Sequence, residues 1–237
     1  HYLLGCAYRD LGEYPAALSC YNDAVEKTDT TDAACDYGLL TRIYQQEGDL
    51  FLHQNMPQNA KEVLEKAEKA AWIAKDTLAA LIAKEQMSYV YEQLKDYNAV
   101  IDNSMKVRNL YLKYGYDLEA NRILGVPLKA LLYTNQYAKL KWCMDMYEEK
   151  SGYFACDSIN DAVDYSSYYY IKGMYYLALN NNDSAYLCFL KAKKYSRNYK
   201  SDKNWALGLY KLYCKKNNLD SIRSYANKAM VYVDSMG

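Results

Sequence analysis

The sequence predicts an all-α chain, an α-α superhelix of about six stacked helical hairpins. Three observations predict it. Only 3 prolines and 10 glycines interrupt 237 residues that are 51% hydrophobic, which favours long regular elements. Small and aromatic residues recur in one fixed order along the chain. Short clusters of Gly, Asn, Asp and Pro separate the apolar runs, at points where a turn needs their backbone conformations.

The first hairpin is marked by Gly5, Tyr8, Ala17, Tyr21 and Ala24, with a turn at Leu11-Gly12-Glu13-Tyr14. The second carries Tyr44, Gly48, Phe51, Ala60, Leu64 and Ala67 around a turn at Met56-Pro57. Ser88, Tyr91, Tyr97, Val100 and Val107 mark the third, which turns at Leu94 to Tyr97. A fourth, degenerate copy holds Leu131, Tyr137, Leu140, Met144 and Tyr147, with a turn at Thr134 to Tyr137. Gly125-Val126-Pro127 falls inside its first helix, where proline should kink the helix or delay its start. The fifth is clear again in Tyr169, Gly173, Tyr176, Ala185, Phe189 and Ala192, turning at Asn180 to Asp183. The sixth, Tyr213, Leu219, Ile222, Ala226 and Ala229, is degenerate and turns at Lys216 to Leu219. The copies run 1–31, 41–74, 81–114, 121–154, 166–199 and 203–236 and make 1–237 one solenoid domain. The longest irregular stretch, Ser151 to Asp161, is expected to be the loop between copies four and five.

This order of residues resembles the tetratricopeptide repeat. That family places a small residue at repeat position 8, an aromatic at 11, Ala at 20, an aromatic at 24 and Ala at 27. The resemblance implies that the small residue of each first helix faces small residues of neighbouring helices, so that backbones approach closely while aromatics fill the gaps. Each hairpin then leaves an apolar face that the next one covers. The family's proline at position 32 is missing, replaced by Asp29, Trp72, Leu112, Gly152, Arg197 and Asp234. Copies are spaced by roughly 37 to 45 residues rather than about 34. The chain is similar in this to long-helix variants found in sensor and scaffold segments of bacterial regulators.

Charge and composition exclude several function classes. Lys+Arg and Asp+Glu both number 29, so no basic excess marks a nucleic-acid surface. No apolar run reaches the roughly 18 residues that span a bilayer. Seven cysteines include no Cys-x-x-Cys pair, so neither a zinc site nor a disulfide framework is expected. Cys20, Cys143 and Cys188 all fall at repeat position 23, a packing recurrence that a nucleophile would have no reason to show. The 29 tyrosines suit half-buried surfaces, with an apolar ring and a polar tip. With only His1 and His53 a His-Glu-x-x-His site is impossible, and no phosphate-cradling glycine loop or serine nucleophile elbow occurs. No catalytic residue, metal site or cofactor is therefore expected. The acidic cluster Asp157, Asp161 and Asp164 lacks the oxygen spacing of a calcium loop and reads instead as a helix start at Asp157 or Asp161.

The resemblance further implies that first-helix positions 2, 5, 9, 12 and 13 line a concave groove. Carried over, these are Arg42, Gln45, Asp49, Leu52 and His53 in copy two, and Ile82, Glu85, Tyr89, Glu92 and Gln93 in copy three. Copy four contributes Arg122, Lys129, Leu132 and Tyr133, copy five Tyr170, Met174 and Leu177, and copy six Lys211 and Lys215. The end with Arg122, Lys129, Lys211 and Lys215 reads as locally basic and suited to an acidic peptide tail.

The expected function is non-catalytic recognition of a protein or peptide, as the sensory or regulatory part of a larger bacterial signalling or transcription regulator. A start at His1 and an end within a helical pattern fit a segment of a longer protein. A glycan-binding nutrient-uptake lipoprotein is the alternative, although Trp72, Trp142 and Trp205 fall at no groove position. Unpaired cysteines favour a reducing compartment such as the cytoplasm; the resemblance to membrane-anchored sensors favours the periplasm.

Overall fold

The computed structural model describes residues 1–28, 35–155, 164–196, 199–215, 218, 220, 221 and 224–228. They contain helices and turns only. The chain forms two compact units, His1–Ala130 and Leu131–Gly237.

In the first unit, α1 (Tyr2–Asp10) pairs with α2 (Tyr14–Glu26), α3 (Tyr37–His53) with α4 (Pro57–Ile73), and α5 (Thr77–Gln93) with α6 (Tyr97–Lys113). Four successive helices, α3 to α6, each have 17 residues. Three-residue turns join them, so helices start at 37, 57, 77, 97 and 117, one every 20 residues. Each turn is closed by a residue in the left-handed conformation: Asn55, Lys75, Lys95 and Gly115, with φ between 57° and 79°. The following N–H reaches back to the last helical turn, as Met56 N–H to Phe51 O and Asp96 N–H to Tyr91 O do at 2.8 and 2.9 Å. That same residue can then cap the next helix. Asp76 and Asp96 accept from the N–H groups of Ala79 and Ala99. No proline stop is needed, because the left-handed residue ends one helix and the aspartate starts the next.

Proline acts elsewhere. The fifth 17-residue stretch, 117–133, is broken into α7 (Asp117–Arg122), a 3₁₀ turn (Ile123–Gly125) and α8 (Leu128–Tyr133) around Pro127. The interruption that the sequence predicts is present.

In the second unit, α9 (Tyr137–Lys150) follows α8, α10 (Tyr165–Ala178) pairs with α11 (Asn182–Lys194), and α12 (Tyr199–Lys215) packs on both. Asp164 caps α10 by accepting from Ser167 N–H at 3.0 Å. Asp157 and Asp161, expected to begin a helix, lie outside the described residues, as do Asp29, Arg197, Leu219, Ile222, Ala229 and Asp234 and most of the expected 151–161 loop. Tyr147, Phe154, Tyr165, Tyr168, Tyr169 and Tyr195 form a continuous aromatic cluster with ring centroids 5.1 to 5.8 Å apart. Five of the 29 tyrosines thus serve as packing material in this one cluster.

The core differs from the expected arrangement in one respect. The small residue at repeat position 8 faces a large residue at position 24 of its own hairpin, 16 residues on, rather than small residues of neighbouring helices. A Cβ on Gly5 would lie 2.5 Å from the Tyr21 ring, one on Gly48 2.7 Å from Leu64, and one on Gly173 2.5 Å from Phe189. In copy three the pair is Ser88 and Ser104, both buried with hydroxyls 3.3 Å apart. Glycine leaves room for a ring or branched side chain to lie against helix backbone, and that is how each hairpin closes. Gly208 of α12 approaches the same Cδ1–Cε1 edge of the Phe189 ring.

Candidate functional site

In the first unit the expected groove positions of α3 and α5 are tied together by polar side chains. Arg9 bonds Gln46. Gln45 Nε2 donates to Ala79 O at 3.0 Å, Gln86 Nε2 to Asp49 Oδ1 at 2.8 Å, and Gln93 Nε2 to Leu52 O at 2.7 Å. The partners are 34 to 41 residues apart in sequence, so each bond joins a first helix to the next one. Glu85 accepts from the Tyr111 hydroxyl at 2.9 Å. Burial raises the Asp49 and Glu85 carboxyls above the usual range, against the lowering effect of those hydrogen bonds. Gln45, Asp49 and Glu85 therefore stand half-buried with their polar atoms on neighbouring helices. Arg42 is exposed and donates to Gly38 O of its own helix, at 3.4 Å. His53 is also exposed and stacks on Tyr14, with centroids 6.2 Å apart.

Among the described residues a cleft opens beside these positions in each unit. In the first unit Tyr89, Glu92, Gln93, Lys95, Tyr97 and Lys129 line a cleft of about 420 Å³. Lys129 is paired with Glu92 at 2.7 Å and Arg122 lies 4.0 Å from Glu119, so acids offset the cations that read as a basic end. In the second unit Tyr133, Tyr170, Met174, Leu177 and Lys211 line a cleft of about 320 Å³ together with Tyr137. Tyr133 is 52% exposed, whereas Tyr170 is half-buried and its phenol is pushed up to about 12, mostly by burial and further by Tyr133. Lys215 donates to Leu177 O at 2.8 Å. The exposed Lys211 ammonium makes no hydrogen bond or ion pair among the described residues.

The structure thus brings together Tyr89 with Lys129 in one cleft, and Tyr133, Tyr170, Met174 and Lys211 in the other. Arg42, Gln45, Asp49, Glu85 and Arg122 line neither. Trp205 is buried in the core, and Trp72 and Trp142 lie on second helices. The six cysteines within the described residues are free thiols; of the three at position 23, Cys143 and Cys188 are buried and Cys20 half-buried, and Cys6, Cys35 and Cys214 are half-buried as well. No described helix is long and apolar enough to cross a membrane.

Comparison with known proteins places these faces in context. The family model described as tetratricopeptide repeat matches residues 1–26, 41–71 and 166–199. No curated protein matches the chain in sequence. Among solved structures, one titled "MamA RS-1 ArsTM double mutant" aligns over 83% of this chain and 96% of its own, at 14% identity and a TM-score of 0.52. At that identity the likeness speaks for the fold alone.

Proposed function

The chain carries tetratricopeptide repeats on a fold of that kind, and from that premise we propose that it is a non-catalytic scaffold whose first-helix face binds a peptide segment of a partner protein. The carrying observation is the cleft of Tyr133, Tyr170, Met174 and Lys211. It joins half-exposed aromatic faces and a flexible thioether to an ammonium that has no protein partner among the described residues. Such a combination fits a segment with an apolar side chain and a carboxylate, since aromatic anchors dominate binding hot spots and a charged pair fixes orientation. A role as the sensory or regulatory part of a larger signalling or transcription regulator is the context this reading favours. Peptide recognition is preferred over glycan binding because no tryptophan stands on the first-helix face.

Peptides selected from a displayed random library on the intact chain test the reading. They should be enriched in acidic and apolar residues. Tyr133→Ala and Lys211→Glu should each weaken them about tenfold while leaving the melting temperature near that of the parent. Selected peptides that bind both variants as well as the parent would overturn it.

A further inference from the structure

The opposite side of α10 carries a second cleft, of about 490 Å³, that the first-helix face does not use. Residues two apart on a helix point about 200° away from each other. Tyr170 and Met174 therefore face one cleft while Lys172 and Tyr176 face the other. Its second wall is α11, where Leu187, Leu190, Lys191 and Lys194 follow the spacing of a single helix stripe. Leu187 is 60% exposed and Leu190 39%, so this stripe offers apolar surface with nothing described lying over it. Cys188 forms part of the floor.

The rim is cationic. Lys172 is held by Glu148 at 2.5 Å. Lys191 and Lys194 have no carboxylate within ion-pair distance among the described residues. Their ammonium groups lie 5.2 Å and 5.4 Å from the ring centroids of Tyr169 and Tyr195, which fixes their stems without supplying a counter-charge. Lysines in a last helical turn also serve the helix dipole. That role needs neither the cleft nor the exposed leucines beside them. In a chain with 29 groups of each sign, two cations with no carboxylate partner among the described residues, above an apolar floor, form a local complement to one kind of ligand.

We infer that the α10–α11 cleft binds a small anionic amphiphile, with its acidic head between Lys191 and Lys194 and its apolar body on Tyr176, Leu187 and Leu190. The volume suits a small molecule, within the roughly 300–1,000 Å³ common for such sites.

Titration with 8-anilinonaphthalene-1-sulfonate, followed by fluorescence, tests this on the whole chain. Saturable binding at one site is expected, and decanoate should displace the dye at least about tenfold better than decanol. The double variant Lys191→Gln/Lys194→Gln should weaken the dye by about tenfold or more, and Lys211→Gln, in the other cleft, should not. Equal displacement by decanol overturns the inference without relying on any variant. So does undiminished binding by a folded double variant, the absence of saturable binding, or loss of binding as protein concentration rises, which would mean that a second copy of the chain covers the cleft.

Discussion

Gly173 and Gly208 grip the Phe189 ring from two helices, so one side chain locks α11 to both of its neighbours. A methyl group at Gly173 would sit 2.5 Å from that ring, and a ring buried on every side has little room to yield. Gly173→Ala should therefore lose about 1–3 kcal/mol in urea denaturation, and Phe189→Leu in the same background should recover part of the loss. A Gly173→Ala protein as stable as the parent would mean that the contact is loose. The sequence marks Gly5, Gly48 and Gly173 as close-contact positions, because only a missing side chain explains glycine inside an otherwise regular helix. It does not mark what they touch. Gly208 was not legible either, as it occupies no position of the repeat pattern. The same limit holds for Gln45, Asp49 and Glu85. Their residue types suit a groove, but only the three-dimensional register shows that a neighbouring carbonyl, amide or phenol already takes up their hydrogen bonds.

At the level of elements, three turn residues do the work of a helix stop and a helix start. Lys75 and Lys95 adopt φ of 59° and 58°, where an L side chain is strained and glycine is not. Lys95→Gly should raise stability by about 0.5–1 kcal/mol in calorimetry, since the cap in which the Asp96 carboxylate accepts from Ala99 N–H does not involve the Lys95 side chain and is kept. A loss of stability would show that the lysine side chain contributes more than its backbone strain costs. These turns are hard to see in sequence, because Ala74-Lys75-Asp76 differs little from the polar face of a continuing helix. Pro127 is the reverse case. Its missing N–H breaks any helix drawn through it, and the 3₁₀ turn Ile123–Gly125 stands there.

For the molecule as a whole, repeat matches at 1–26, 41–71 and 166–199 coincide with the copies whose glycine and aromatics are intact. Copies three and four escape them where a serine pair replaces the glycine contact and where Pro127 intervenes. Glu47 ties overall stability to pH, in the same direction as the raised carboxyls of Asp49 and Glu85. Glu47 is 4% exposed, its Oε1 has no hydrogen-bond partner among the described residues, and burial pushes its carboxyl up to about 7, against the pull of Lys66. An unfolded glutamate titrates near 4.5, so between that pH and 7 the folded state holds more protons. Stability should therefore fall by about 3 kcal/mol as pH rises through this window and level off above it. Glu47→Gln should flatten the profile in urea melts between pH 5 and pH 8; parallel profiles for parent and variant would place the pH dependence elsewhere. The 20-residue spacing of helix starts from Tyr37 to Tyr137 has a further consequence, for how such a chain can change length. One extra residue inside a helix would turn everything after it by about 100° and carry the packed face out of register. A duplicated or deleted stretch of two helices, cut at any of the left-handed turns, returns each side chain to an equivalent seat. Unequal recombination at those turns is therefore a route by which the array can grow or shrink without being redesigned.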